Sequence, residues 1–146
     1  MLRTLNAVLS RASNGDGPKQ VLVVDDDEAL LRLLRAILRP QAYQMLTARG
    51  GAEALELTQQ KFPDLILLDL RMPGMDGYEV LKQLKASAQT AEIPVIVMTA
   101  SQSDAPTFRD RVLELGAVEF FKKPFSVSEL VDEIARPLAE RTPADA

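Results

Sequence analysis

Side chains of the kinds that bind phosphate and metal ions follow several apolar segments of this chain. They are Asp25, Asp26, Asp69, Thr99 and Lys123. Carboxylates that lie close together repel one another unless a cation is bound among them, and carboxylate oxygens with retained waters suit the octahedral geometry of Mg²⁺. A hydroxyl and an ammonium group can donate hydrogen bonds to phosphoryl oxygens during phosphoryl transfer. These residue types therefore predict a site for phosphate and a hard divalent cation, provided that the fold brings them together.

Alternating strands and helices are the elements that would position these side chains. Apolar and β-branched runs predict five strands, at about 21–24, 43–47, 64–68, 94–98 and 117–121. Apolar residues recur at helical spacing between the strands and after the last one. The predicted helix boundaries are Pro40, Gly51, Pro63, Asp76, Ala88, Gly116, Ser126 and Pro137.

Five strands in strict alternation with five helices indicate an α/β fold with a parallel sheet covered on both faces. In open sheets of this class, ligands bind outside the carboxyl ends of the strands. Asp25 and Asp26 follow the first predicted strand and Asp69 follows the third. Thr99 follows the fourth strand and Lys123 the fifth. All five side chains would converge on one patch if these strands are neighbours.

The composition excludes several other kinds of chemistry. Of the 146 residues, 47% are hydrophobic and 26% are charged, so one domain with a packed core is expected. There is no cysteine and no histidine, which excludes disulfides, Ser-His and Cys-His catalytic pairs and histidine-ligated zinc within these residues. A net charge of -4 without a basic stripe argues against nucleic acid as a direct partner.

Breaker residues at 13–18 mark the first boundary of the chain. We expect residues 1–18 to form a flexible extension or a short helix, 19–137 to form the domain, and 138–146 to form a disordered C-terminal tail. The apolar stretch near Met1 is too short for a signal peptide, and no other stretch is long enough for membrane insertion. A soluble, cytoplasmic protein is therefore expected.

Four motifs together resemble the receiver domain of two-component response regulators. They are Val23-Val24-Asp25-Asp26, Leu68-Asp69 with Met72-Pro73-Gly74-Met75-Asp76-Gly77, Val97-Met98-Thr99-Ala100, and Lys123-Pro124-Phe125. Each motif stands at the end of a predicted strand, and the similarity extends from Lys19 to about Pro137. The resemblance implies a flavodoxin-like, doubly wound fold with the parallel strand order 2-1-3-4-5.

The resemblance also implies roles for the site residues. Asp69 would accept a phosphoryl group from a phosphohistidine of a sensor histidine kinase or a histidine phosphotransfer protein. The ligands of Mg²⁺ would be Asp25, Asp26, Asp69 and the backbone carbonyl of Arg71. Thr99 and Lys123 would bind the phosphoryl oxygens, and the Lys123-Pro124 peptide bond would be cis. The protein would not be an enzyme toward other substrates, because it would catalyse only its own phosphorylation and dephosphorylation.

Phosphorylation in this family changes a surface that other proteins contact. The resemblance implies that Thr99 turns toward the phosphoryl group and that Phe120 swings inward. Tyrosine is frequent at the position of Phe120 in relatives, and phenylalanine keeps the steric switch but lacks the hydroxyl. The altered surface would comprise the fourth helix, the fifth strand and the fifth helix, and it would contact a downstream target protein or a second copy of the chain.

Other interpretations stay open. Asp25 to Glu28 could simply favour a helix amino terminus, and Asp69 could open a turn. A phosphatase of the haloacid-dehalogenase type requires a second aspartate where Arg71 stands. A pseudo-receiver, which binds partners without phosphorylation, usually lacks one of the key residues, and none is missing here. No second domain follows Pro137, so we expect a stand-alone receiver that acts as a relay intermediate or as a docking switch.

Overall fold

Alternating strands and helices run through residues 18–72, 76–99 and 106–140, which are the parts that the computed structural model describes, with only the backbone given for 106–108 and 140. The strands are β1 (Gln20–Val24), β2 (Gln44–Ala48), β3 (Leu65–Asp69), β4 (Val95–Thr99) and β5 (Glu119–Lys122). The helices are α1 (Glu28–Leu38), α2 (Gly51–Lys61), α3 (Gly77–Ala86), α4 (Pro106–Glu114) and α5 (Val127–Glu140), with a short 3₁₀ turn (Arg39–Gln41) after α1. The predicted alternation is confirmed, with strand limits that differ by one or two residues.

The five strands form one parallel sheet in the order β2-β1-β3-β4-β5. This order confirms the doubly wound, flavodoxin-like fold. The register places Val24 of β1 beside Leu68 of β3, and Asp69 beside Met98 of β4. The carboxyl ends of β1, β3 and β4 therefore lie next to one another, as the predicted site requires.

Each face of the sheet has its own hydrophobic core, because side chains of a strand alternate between the two faces. Leu22 and Val24 pack with residues of α2, α3 and α4, whereas Val21 and Val23 pack with residues of α1 and α5. Every residue of β3 and β4 is buried. The ends of these central strands thus emerge from an interior that excludes water.

The predicted capping residues make the expected hydrogen bonds. The Asp76 carboxylate accepts a hydrogen bond from the Glu79 N–H at 2.9 Å, and the Ser126 hydroxyl accepts one from the Glu129 N–H at 3.3 Å. Gly116 has a φ of +111°, which confirms the left-handed turn after α4. The turn chemistry visible in the sequence therefore sets several of the helix boundaries.

The end of the last helix was predicted wrongly. Pro137 lies inside α5, which continues to Glu140. Proline removes the N–H that would bond to the carbonyl of Glu133, at a cost of about 3 kcal/mol. Burial of Leu138 in the core against α1 offsets much of that cost, because burying a leucine side chain contributes about 2 kcal/mol. Residues 138–140 are therefore helical, while 1–17 and 141–146 lie outside the described residues.

The helices of the described segments are too short and too polar to cross a lipid bilayer.

Candidate functional site

Three carboxylates lie together at the carboxyl edge of the sheet. Asp25 and Asp26 follow β1 directly, and Asp69 is the last residue of β3. One oxygen of each carboxylate lies within 4.8 Å of the others. Asp25 and Asp69 are buried, with 0% and 4% of their surface exposed, whereas Asp26 faces solvent. The prediction that these side chains converge is confirmed.

Backbone amides hold the two buried carboxylates in place. Asp25 Oδ1 accepts a hydrogen bond from the Asp27 N–H at 2.9 Å. Asp69 Oδ1 accepts one from the Arg71 N–H at 3.1 Å. The Asp27 side chain in turn caps α1 by accepting from the N–H groups of Ala29 and Leu30. The orientation of both buried carboxylates is therefore set by the turns that directly follow their strands.

Lys123 supplies the positive charge in this cluster. Its Nζ lies 2.8 Å from Asp25 Oδ2 and 3.5 Å from Asp69 Oδ2. The Lys123 N–H donates to the carbonyl of Thr99 at 2.7 Å, which attaches the end of β5 to the end of β4. The Lys123-Pro124 peptide bond is cis, the form that the resemblance implied.

The Asp69 carboxyl is harder to ionise than an ordinary aspartate. Its pKa is raised from 3.8 to about 6, chiefly by burial and also by the charge of Asp25, while the Arg71 N–H and Lys123 act in the opposite direction. One ammonium group cannot neutralise three carboxylates. When all three carboxylates are ionised, they and Lys123 therefore carry a net charge of about −2.

This donor set fits a magnesium ion. Two buried carboxylates and one exposed carboxylate offer hard oxygen ligands within a few ångströms of one another, and a divalent cation would supply the missing charge. Asp25, Asp26 and Asp69 are the side chains that would hold it. The exposed position of Asp26 leaves room for the water ligands that Mg²⁺ retains.

Thr99 and Phe120 lie on the neighbouring strands at the same edge. Thr99 ends β4 and is buried. Phe120 of β5 is half-buried, pairs in register with Val97 and packs against the core under α3 and α4. Since Val97 and Thr99 are two residues apart, their side chains are on the same face of the sheet. Phe120 therefore lies diagonally across from Thr99 on the adjacent strand.

Arg71 is the second residue after β3 and is exposed, and its N–H donates to Asp69 Oδ1, so its backbone lies at the carboxylate cluster. Residues 73–75 and 100–101, which belong to the recognised motifs or adjoin them, lie outside the described residues.

Sequence reasoning missed Arg49. This residue follows β2, and its guanidinium contacts the Glu28 carboxylate at the first turn of α1. The Arg49 N–H also donates to Glu53 at 2.8 Å. The rule that identified Asp25 and Asp69 would have found Arg49 as well, because it is the residue directly after the second strand. It adds a positive charge at the exposed rim of the carboxyl edge.

Comparisons with known proteins point in one direction. The family model of the response regulator receiver domain matches residues 21–135. The chain is similar to the response regulator PleD of Caulobacter vibrioides, with 46% identity over 105 residues that make up 72% of this chain and 23% of PleD. It is also similar to the response regulator MprA of Mycolicibacterium vanbaalenii, with 38% identity over 128 residues, which are 88% of this chain and 54% of MprA.

Solved structures agree with these matches. The receiver domain of the Francisella response regulator 1452 superposes with a TM-score of 0.77 at 30% identity, and the match covers 84% of this chain and 98% of that domain. The chain thus spans 23% of PleD and 54% of MprA, but nearly all of a solved receiver domain.

Proposed function

Because this chain belongs to the family of response regulator receiver domains, we propose that Asp69 accepts a phosphoryl group from a phosphohistidine of another protein. The donor would be a sensor histidine kinase or a histidine phosphotransfer protein. The phosphorylated chain would then signal by contact with a partner protein in the cytoplasm. The 146 residues contain no histidine, so the donor imidazole must lie outside them.

The arrangement around Asp69 is the observation that carries the proposal. A buried carboxylate stands between a lysine ammonium and two further carboxylates, at the carboxyl edge of the sheet. Its pKa of about 6 leaves it largely ionised at neutral pH, so it can act as a nucleophile without a general base. Its position at the carboxyl edge of the sheet is where ligands bind in open α/β sheets.

The transfer itself requires little from the protein beyond position and charge. An Asp69 oxygen attacks the phosphorus, the bond from phosphorus to the donor imidazole breaks, and its electron pair stays on the imidazole nitrogen. Asp25, Asp26, Asp69 and the backbone carbonyl of Arg71 would hold Mg²⁺, which supplies positive charge for the phosphoryl oxygens when it is bound. Attack by water on the phosphorus of the resulting acyl phosphate would break its bond to the Asp69 oxygen, release inorganic phosphate and return the free carboxylate.

Lys123 and Thr99 have supporting roles in this proposal. Lys123 would exchange its contact with Asp25 for one with a phosphoryl oxygen, over a short distance because its Nζ already lies 3.5 Å from Asp69 Oδ2. The Thr99 hydroxyl would donate to a second phosphoryl oxygen. Phe120 would then move toward the space that Thr99 leaves. Thr99 and Phe120 would thus link the chemistry at Asp69 to β5, which lies beyond β4 in the sheet.

The output surface would comprise α4, β5 and α5. Two contacts attach α4 to its neighbours: Arg109 pairs with Glu119 of β5 at 3.1 Å, and the Arg111 guanidinium lies 5.2 Å from the ring centroid of Tyr78. Tyr78 is the second residue of α3, close to the loop that follows Asp69. A downstream target or a second copy of the chain would bind this surface. The stand-alone arrangement expected from the sequence stays a prediction, as does the choice between relay and docking switch.

Acetyl phosphate provides the direct test of phosphoryl acceptance. We expect the protein with Mg²⁺ and acetyl phosphate to gain the mass of one phosphoryl group, and the gain to be absent in Asp69→Asn. Asp64→Asn is the matched control, because Asp64 is also a buried aspartate but lies at the opposite end of β3, where it accepts from the Gln20 N–H at 2.8 Å. This control should be phosphorylated like the wild type.

Two results would contradict the proposal. Wild-type protein that gains no mass under any condition would be a binding module without phosphorylation. Continuous release of phosphate from many phosphomonoesters would instead indicate a phosphatase. The output is tested separately by partner capture with and without beryllofluoride, a mimic of the aspartyl phosphate, and an identical set of partners in both states would exclude a switch.

A further inference from the structure

Gly77, the first residue of α3, lies against the backbone that follows the acceptor aspartate. A Cβ atom added at Gly77 would lie 2.5 Å from the Cα of Leu70 and 2.6 Å from the carbonyl oxygen of Asp69. Real Cβ atoms essentially never approach other heavy atoms more closely than 3.0 Å. Both obstructing atoms belong to the backbone, so no side-chain rotation would relieve the clash. Only glycine allows the first turn of α3 to lie this close to β3.

Position 77 requires glycine because there is no space for a side chain, and not because of its backbone conformation. Among the described glycines, only Gly116 has a positive φ, so Gly77 does not need the left-handed region that favours glycine elsewhere. Alanine is the better helix former by about 1 kcal/mol. Glycine at position 77 therefore lowers the helix propensity of α3 but allows the close approach to Leu70.

Leu70 is the centre of the turn that orients the acceptor. Its N–H donates to the Met98 carbonyl of β4 at 3.2 Å, and its carbonyl accepts from the Gly77 N–H at 3.1 Å. Around it, Asp69 Oδ1 accepts from the Arg71 N–H. A displacement of Leu70 would therefore rotate the Asp69 carboxylate and the Arg71 peptide relative to Asp25.

We propose that Gly77 is a positioning residue for the cation site. Because it has no side chain, α3 can lie close to Leu70, and this contact fixes the positions of Asp69 and Arg71. This inference rests on the proposed function, since it assumes that these two residues bind Mg²⁺. Gly77 itself contacts neither the ion nor the phosphoryl group.

Titration calorimetry of the full chain with Mg²⁺ tests this proposal through three glycine-to-alanine variants. We expect Gly77→Ala to bind Mg²⁺ at least ten-fold more weakly than the wild type. Gly116→Ala is the control for lost stability, because alanine there is strained at φ +111° and crowds Lys85, at the end of β5 opposite to Lys123. Gly50→Ala is the neutral control, because its Cβ would meet no surrounding atom within 4 Å. Both controls should keep the wild-type dissociation constant.

The possible outcomes separate the two proposals. Gly77→Ala with a dissociation constant within two-fold of the wild type would overturn the positioning role, and so would an equal loss in Gly116→Ala. Wild-type protein that binds no Mg²⁺ would overturn both the positioning role and the proposed function. Wild-type protein that binds Mg²⁺ without accepting a phosphoryl group would overturn the proposed function alone.

A measurement on the wild type covers the case in which Gly77→Ala does not fold. The amide resonance of Gly77 should shift when Mg²⁺ saturates the protein, because its N–H is bonded to the turn that carries the ligands. The amide resonances of Gly50 and Gly116 should not shift. Unchanged Gly77 resonances would overturn the positioning role.

Discussion

At the scale of single residues, the proposed role of Asp69 combines two requirements that oppose each other. A nucleophile for phosphoryl transfer must be ionised, yet burial at the end of β3 disfavours the charged form. The chain offsets part of this cost with the Arg71 N–H and the Lys123 ammonium, both of which lower the pKa. The pKa of about 6 means that these two groups offset the effect of burial only in part.

The shift predicts that stability without metal depends on pH. In the folded state Asp69 keeps its proton up to about pH 6, whereas its ordinary pKa is 3.8. Its contribution to stability is therefore complete below the unfolded pKa and is lost as the pH rises through the folded pKa. A shift of this size corresponds to roughly 3 kcal/mol. Asp69→Asn lacks this titration, so it should become more stable than the wild type, by up to that amount, between about pH 4 and pH 7.

Urea denaturation in a chelating buffer across this pH range measures the difference. Gly50→Ala, which adds a methyl group in open space, should follow the wild-type profile and serves as the control. Parallel profiles for Asp69→Asn and the wild type would mean that the Asp69 carboxyl is not held in a desolvated site.

At the scale of secondary-structure elements, Lys85 joins three segments at the amino-terminal edge of β4 and β5. Its Nζ donates to the carbonyls of Ala91 and Ile93, each at 2.8 Å, in the loop between α3 and β4. Its methylene groups lie against Gly116, in the turn between α4 and β5. Hydrogen bonds that involve a charged group contribute about 1.5 to 3 kcal/mol each, more than neutral ones.

Lys85→Met should therefore destabilise the protein by about 2 kcal/mol, because it keeps the apolar stem but leaves two carbonyls without this donor. Lys82→Met is the matched control, since Lys82 lies on the exposed face of the same helix. Equilibrium urea unfolding measures both variants. Equal losses in the two variants would contradict a specific role for the Lys85 ammonium.

The elements also show which features can be predicted from sequence and which cannot. The meeting of Asp25, Asp69 and Lys123 was predictable, because residues that directly follow strands of a parallel sheet gather at one edge. The strand order was not, since apolar periodicity identifies strands without ordering them, and it came from the resemblance instead. The continuation of α5 through Pro137 depends on the burial of Leu138 against α1, a contact between distant parts of the chain. The need for glycine at position 77 likewise could not be predicted, because it arises from the close approach to Leu70, seven residues earlier.

At the scale of the whole molecule, a cation at the carboxyl edge would connect elements that are far apart in sequence. Asp25 and Asp26 follow β1 and Asp69 ends β3, so a shared ion joins the first half of the domain to its centre. Lys123 already adds β5 to the same cluster. Binding of an ion to the folded state alone must shift the unfolding equilibrium of the entire domain.

Magnesium should therefore stabilise the complete chain. A ligand at one hundred times its dissociation constant adds about 2.7 kcal/mol, which corresponds to a rise in Tm of roughly 5 to 10 °C for a domain of this size. Differential scanning calorimetry at about pH 7.5 with Mg²⁺, and again after addition of a chelator, measures this rise. Asp69→Asn should gain much less, because it lacks one charged ligand.

Saturating Mg²⁺ should thus reduce the difference in Tm between these two proteins. Without metal, Asp69→Asn has the higher Tm, because its side chain carries no buried charge. With saturating Mg²⁺, the wild type gains more, since the same carboxylate that destabilises the empty site becomes a ligand. A constant difference in Tm between the two proteins, with and without Mg²⁺, would exclude Asp69 from the cation site. A smaller difference with Mg²⁺ would show that the cost of burying Asp69 is tied to its role in binding the ion.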